Sequence, residues 1–512
     1  MIDRVAKVNG SSERASENVA TDPTRRALLA MGGAAALALM AAKSQGQIRG
    51  GGQTKTLPPG IGVTGNWSSV TNRLLRRITY GLDPVEKARV ESIGFQSYLD
   101  EQLAPESIDD TVVQSRIDLE WPKVRWSEAE LYDDTDQWDQ FLQVNYAWMH
   151  RSAFSKRQLY ERMVEFWTDH FNVSIQKLPP PLLTAFIEKA IRPNAMGSFF
   201  TLLRATARTS GMMNFLDNDQ NNQYAPNINY SRELHELHTV GVTGGYTGQD
   251  LRQAALILTG WSWTYEPGHP NRNKFTFRFE QHASGTKVVM GQTYESAGYL
   301  EGERLLTYLA NHAKTAEFVS GKMVRWFLGD NPSQSVLNAA KNTFLLSGGN
   351  IKEVLRVILT ANNLSKSSPR YKRPYHLLIS TVRPLEPVVA DWYISLYLLY
   401  LAGQAPWGWS FPDGYPDRFD YWVGGQIHRM NYGFLYAANY VDGVAADILG
   451  KFGSVRTADA CTNSINQVLF GGEMSTTDRE ALRKYFQAEP IDDYRLYGGV
   501  ALAMNCPSFQ WY

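Results

Sequence analysis

The run Arg232-Glu233-Leu234-His235-Glu236-Leu237-His238 puts one guanidinium, two carboxylates and two imidazoles within seven residues. On an α-helix each residue advances by about 100°. Arg232, Glu233 and Glu236 then share one face, and His235 and His238 the opposite one. Glu233 and Glu236 at that spacing suit a general acid and a general base, with Arg232 as their catalytic partner, or a pair of cation ligands. The same spacing also suits a purely structural ion pair between Arg232 and Glu236. His235 and His238, three residues apart, suit chelation of a transition metal from one helical turn, although the run is not the HExxH of zinc proteases.

Further groups lie elsewhere in the chain. Asp169 and His170 close a long helical stretch and are followed by Asn172 and Ser174, a polar cluster in an aromatic setting. His170 shares a face with Met163 and Phe166, which fits a core histidine as well as a ligand. His282 sits in the turn of a predicted β-hairpin and His312 at a helix start. A divalent metal held by His170, His238 and His282 together with a carboxylate is therefore one expectation, with Asp169 as a binding residue. Other chemistries leave no trace. There is no GxSxG elbow, phosphate-binding loop or dinucleotide fingerprint. The Asn-rich run after Asp217 lacks the glycine and glutamate of an EF-hand. The two cysteines, Cys461 and Cys506, form no CxxC pair and allow either one disulfide or two free thiols. With 14 tryptophans and 26 tyrosines, the chain could also present stacking platforms for a sugar polymer; Trp261, Trp263, Trp407, Trp409 and Trp422 are the candidates, Trp261 and Trp409 foremost.

The elements that must position these groups are mostly helical. Apolar spacing predicts helices over 70–80, 137–170 with a break near 152–155, 181–191, 198–207, 231–238, 247–259, 301–310, 313–327, 333–346 and 351–360. Asp83-Pro84 reads as an N-cap with proline at the first helical position. Strict alternation over 274–279, a Ser284-Gly285 turn and the apolar run to Met290 predict one β-hairpin over 274–290. Residues 405–421, dense in Trp, Pro, Gly and Asp, read as a structured loop. The expected fold is mainly α, one large multi-helix body over 67–512 with that small inserted hairpin; a sub-lobe over 365–512 is a further expectation.

Ahead of this body, Arg25-Arg26 precedes a short, weakly apolar run over 28–42. Paired arginines before such a run are the parts of a twin-arginine export signal, here residues 1–42, with 43–66 as a Gly- and Pro-rich linker. The expected location is the periplasm or the exterior, and the twin-arginine translocase is the expected partner during export. The run is shorter than the roughly 20 residues a spanning helix needs, and no stable transmembrane segment follows it. Lys plus Arg and Asp plus Glu both number 51. A neutral chain without a basic stripe argues against a nucleic-acid partner.

Motifs spread over the mature chain resemble a bacterial family known as domain of unknown function 1800. They include residues 74–81, the run Leu99 to Pro105, residues 162–171, the run Asn229 to Gly241, Thr259-Gly260-Trp261, His282, Lys287, His312, Lys372, Arg383 and the terminal Cys506-Pro507-Ser508-Phe509-Gln510, where Cys506 replaces a serine. The resemblance implies export and a partner from the family called domain of unknown function 1501, and it implies no particular activity. Three functions stay open: a metal-assisted hydrolase of an envelope or extracellular polymer such as a polysaccharide; a non-catalytic carbohydrate-binding or scaffold protein; and a metal-containing redox protein.

Overall fold

The computed structural model describes residues 67–512, so Arg25, Arg26, the signal over 1–42 and the linker over 43–66 lie outside the described residues. The described chain is mainly helical, with three small two-stranded antiparallel sheets, and falls within a single compact unit. Among the described residues no helix is long and apolar enough to cross a membrane.

Local chemistry accounts for the helix ends. α1 (Val70–Ile78) starts where Ser69 accepts from the amide of Asn72, ends in Arg76 and Arg77, and buries Leu74, Leu75 and Ile78; a capped start and basic last turn both suit the helix dipole. Asp83 caps the next helix with Pro84 at its first position, as its sequence predicts. The long periodic stretch divides into α2 (Gln137–Phe154) and α3 (Gln158–His170). The break falls at Ser155, where the side-chain amide of Gln158 donates to the carbonyls of Ser152 and Ser155. α4 (Asn229–Glu233) continues directly into a π-helical segment, Leu234–His238. α5 (Gly248–Ile257) opens with a capping box between Thr247 and Asp250.

The β structure departs from expectation. The alternating segment does not fold back on 287–290. β1 (Trp261–Trp263) pairs with β2 (Phe275–Phe277), while β3 (Lys287–Val289) pairs with β4 (Gln292–Tyr294). Two hairpins therefore stand where one was expected. The turn that closes the second is Met290-Gly291, both at positive φ, the backbone a two-residue hairpin turn demands. Ser284-Gly285 lies instead in the connection that follows His282. After these come α6 (Tyr299–Ala310), α7 (Ala313–Leu328), α8 (Pro374–Val382), β5 (Val388–Val389), α9 (Gln426–Ala437), β6 (Val444–Ala445), which pairs with β5, and α10 (Asp493–Asn505). His312 caps α7 through Nδ1, which accepts from the amide of Lys314.

Segments far apart in sequence interlock in the interior. α3 buries Met163, Phe166 and Trp167, and Phe166 meets Trp326 of α7 edge-on at 5.6 Å. Residues beyond 365 return to the first helices: the Ser152 hydroxyl bonds that of Tyr375 at 2.8 Å.

Candidate functional site

α3 carries most of the charged groups of the interior. Arg162 pairs with Glu165 one turn on. Arg373, placed by the extended residue before Pro374, donates to Glu165 at 2.5 Å and also pairs with Asp169. Arg162, Glu165 and Arg373 are nearly fully buried, and the Asp169 side chain keeps 20% of its surface exposed. The indole of Trp326 collects three guanidiniums: Arg373 at 4.6 Å, Arg162 at 5.0 Å and Arg370 at 5.6 Å from its ring centre. Cations packed on an aromatic face and tied to carboxylates hold their geometry tightly.

Asp169 is the end of this chain that meets solvent. Burial pushes its carboxyl up, Arg373 pulls it back and Glu165 pushes it up again, with the balance at about 6. Below it lies a cavity of about 30 Å³ lined by Glu165, Asp169, Asn172, Arg373, Trp407 and Tyr415, enough for one or two waters. The structured loop predicted over 405–421 forms its wall through Pro406, Trp407 and Tyr415. The Asn172 side chain donates to the carbonyls of Trp409 and Phe411 at 3.1 and 2.6 Å, and the Ile175 amide to that of Trp407 at 3.0 Å. Trp407 is 2% exposed and adopts φ +56°, a left-handed backbone that a bulky residue holds only when its surroundings over-determine it. Gly414, at φ +76°, lies against the backbone carbonyl of Asp169, where a Cβ would collide.

His170 lies on the apolar side of the same helix end, among Phe166, Phe171 and Phe199. Lys322 of α7 donates from Nζ to its Nδ1 at 3.1 Å, and its Nε2 faces the carbonyl of His238 at 3.1 Å. Burial, then Lys322, then His238 hold the imidazole well below its ordinary range. Burial brings Lys322 itself down to about 8, against the opposing pull of Asp169. Asp417 and Asp413 also act on Lys322, and Asp413 accepts from the indole of Trp409 at 2.8 Å.

The π-segment alters the helical-wheel expectation. Its wider turn does not keep the 100° step. His235 donates from Nδ1 to the Ser231 carbonyl at 2.7 Å and meets the Tyr246 ring at 5.4 Å. His238 instead meets Phe171 at 5.1 Å and His170 at 6.3 Å. Burial pushes both imidazoles down, to about 4 for His235 and about 3 for His238. Among the described residues no ion pair joins Arg232 to Glu233 or Glu236, so the structural pair expected for this run does not form within salt-bridge distance. Glu233 is half-buried, and its carboxyl is raised by burial, then by Glu236, with a further push from Asp413. Glu236 accepts from Tyr246, whose phenol is pushed up to about 12 by burial and by that glutamate.

Asp169, His170 and His238 are thus neighbours, and the charge of Asp413 acts on both Lys322 and Glu233. His282 is elsewhere. Its Nδ1 faces the Thr259 carbonyl at 2.8 Å and its Nε2 the Glu301 carboxylate at 2.9 Å, while Lys287 donates to the other Glu301 oxygen at 2.7 Å. Both ring nitrogens of His282 are thus engaged by protein oxygens. His170 likewise has both nitrogens engaged. Among the described residues no three His, Cys, Asp or Glu side chains are grouped to hold a metal ion, so the set His170, His238 and His282 does not fit one. The tryptophan platforms are corrected in the same way. Trp261 is 0% exposed and meets Phe275 edge-on; Trp409 and Trp422 pack with Tyr415 in one buried cluster, and Trp263 and Trp407 are buried as well. None offers a face to a polymer. Cys461 and Cys506 are free thiols.

Lys322, Arg373 and Asp413 belong to the site without having stood out as site residues in the sequence, and Trp407, expected as a sugar platform, belongs to it as a buried wall. Arg373 carries a faint signal, a basic residue directly before a helix-starting proline; Lys322 carries none, since its importance comes from the helix packed against it.

The family described as Protein of unknown function (DUF1800) matches residues 73–511. No curated protein matches the chain, and no solved structure does.

Proposed function

The chain belongs to the DUF1800 family, and from that premise we propose that it is an exported hydrolase that cleaves an extracellular or envelope polymer such as a polysaccharide by carboxylate acid–base chemistry. The observation that carries this reading is Asp169: a partly exposed carboxyl held at about 6 although Arg373 contacts it. Carboxyls tuned toward neutrality beside fixed cations suit general acids. Glu233, raised by burial and Glu236, is the partner carboxylate. Asp169 would deliver its proton to the leaving oxygen as the C–O bond breaks. Glu233 would take the proton of the water that attacks the same carbon. Lys322 and Arg373 hold the negative charge that Asp169 acquires, and Arg232 moderates that of Glu233. Export through the twin-arginine route, from Arg25 and Arg26, belongs to this proposal and places the enzyme in the periplasm or outside the cell, where a partner of the domain of unknown function 1501 family would be met.

The test is release of new chain ends from a panel of envelope and environmental polysaccharides by the purified protein, Asp169→Asn and Glu233→Gln. General acid–base groups contribute about 10²- to 10⁴-fold, so each variant should lose activity on that scale while melting within a few degrees of the parent. A parent protein with no activity across the panel, or variants as active as the parent, would refute the assignment.

A further inference from the structure

One residue before Arg373, Lys372 points into a second, separate part of the interior. It is 5% exposed, and its Nζ lies 3.8 Å from the ring centre of Phe509. Among the described residues no acceptor bonds that ammonium and no carboxylate pairs with it. The neighbouring carboxylates are already engaged: Glu473 pairs with Arg76 at 2.6 Å, and Asp478 accepts from the amide and hydroxyl of Ser508. Cys506 supplies no charge either, because burial and Asp478 push its thiol up.

The surroundings add positive charge instead of cancelling it. Arg77 is buried with Nη1 unpartnered and no carboxylate in contact. Arg429 is buried against Tyr371 and bonded to the neutral amide oxygen of Gln510. The field of Arg76 and that of Arg429 both bear on Lys372. The positive end of the α8 dipole begins two residues along the chain. Burial, then Arg76 and Arg429, hold the Lys372 amine well below its ordinary value; with no counter-charge beside it the group sheds its proton, and a bound anion is what lets it keep the charge.

Lys372 lines a mostly enclosed cavity of about 20 Å³ together with Arg76, His376, Ser380, Ser508 and Phe509. His376 is 1% exposed and neither of its ring nitrogens has a hydrogen-bond partner. The volume admits a single water-sized particle, which excludes sulfate, phosphate and carboxylates. We infer that this cavity is a binding site for a monatomic anion of the halide class, held between Lys372 and His376. The anion supplies the missing counter-charge and ties α1, the start of α8 and the C-terminal residues into one unit, which in turn steadies Arg373.

The experiment follows thermal unfolding of the purified full chain in gluconate buffer at constant ionic strength while chloride or bromide replaces gluconate. Stabilisation by a bound ligand saturates with its concentration; the expected rise is about 1–3 °C, and Lys372→Met should abolish it. Crystals grown in bromide should give an anomalous peak between Lys372 and His376, a result that needs no variant to fold. A melting temperature indifferent to halide, an equal rise with sulfate, or no bromide peak at that place would each overturn the inference and leave the cavity to water.

Discussion

Lys322 donates a hydrogen bond from Nζ to Nδ1 of His170 across 3.1 Å. An ammonium can only donate, so Nδ1 is the accepting nitrogen and the imidazole carries its proton on Nε2, where it reaches the carbonyl of His238. The pair thereby excludes His170 from binding a metal and makes it the support that holds a charged lysine beside Asp169.

This arrangement has a pH signature. Burial depresses Lys322 from 10.5 to about 8, so the unfolded chain binds its proton more tightly than the folded one. Stability from this group is then smallest below pH 8 and grows as the pH rises toward 10. Lys322→Met removes that dependence. In urea titrations the parent should gain stability relative to the variant between pH 8 and 10; a constant difference across that range would show that Lys322 titrates normally.

Asp169 has the opposite sense. Its carboxyl is raised from 3.8 to about 6, so the folded state favours the protonated form, and its contribution to stability is present at low pH and lost as the pH climbs through 6. As a general acid it must be protonated to act, so kcat/KM should fall as the pH rises above about 6. Arg373→Gln removes the cation that pulls the carboxyl down and should move that limb to higher pH. A limb that stays in place would mean another group controls it.

Metal chelation tests the donor geometry directly. Thr259 and Glu301 engage both nitrogens of His282, and among the described residues no three His, Cys, Asp or Glu side chains are grouped to hold a metal. We expect exhaustive EDTA treatment to leave both melting temperature and polymer cleavage unchanged, measured by calorimetry and by end-group release. Loss of either on chelation, restored by one added metal, would contradict this reading of the histidines.

The helices around the site were legible because their signals are local: the Asp83 cap, the proline at 84 and the apolar spacing of α1 and α3 each act within a turn. The strand partners were not. The alternation over 274–279 indicates a strand without naming its neighbour, and β1, with three buried residues in a row, carries no alternation to find. The run from Arg232 to His238 misled through geometry, since nothing local announces that Leu234–His238 widens into a π-helix. Asp169 and His170 were found from their types. Lys322 and Arg373 become important only through neighbours about 150 and 200 positions away, a relation that neither periodicity nor composition records.

Gly414 gives the sharpest test of how the loop over 405–421 sets up Asp169. At φ +76° an alanine is strained by roughly 1–2 kcal/mol, and its Cβ would run into the Asp169 carbonyl. The helix end cannot retreat, because Asn172 and Ile175 bind the same loop through Trp407, Trp409 and Phe411. The loop must therefore lift, water reaches the carboxyl, and the desolvation that raises it is relieved. Gly414→Ala should lose about 2–3 kcal/mol of stability and bring the Asp169 carboxyl down toward 4, as read by carbon-detected NMR titration. Gly424→Ala is the control, since no atom lies within 4 Å of its added Cβ, and it should leave both quantities unchanged. If Gly414→Ala melts like the control while Asp169 still titrates near 6, the loop does not hold the carboxyl in the way its contacts indicate.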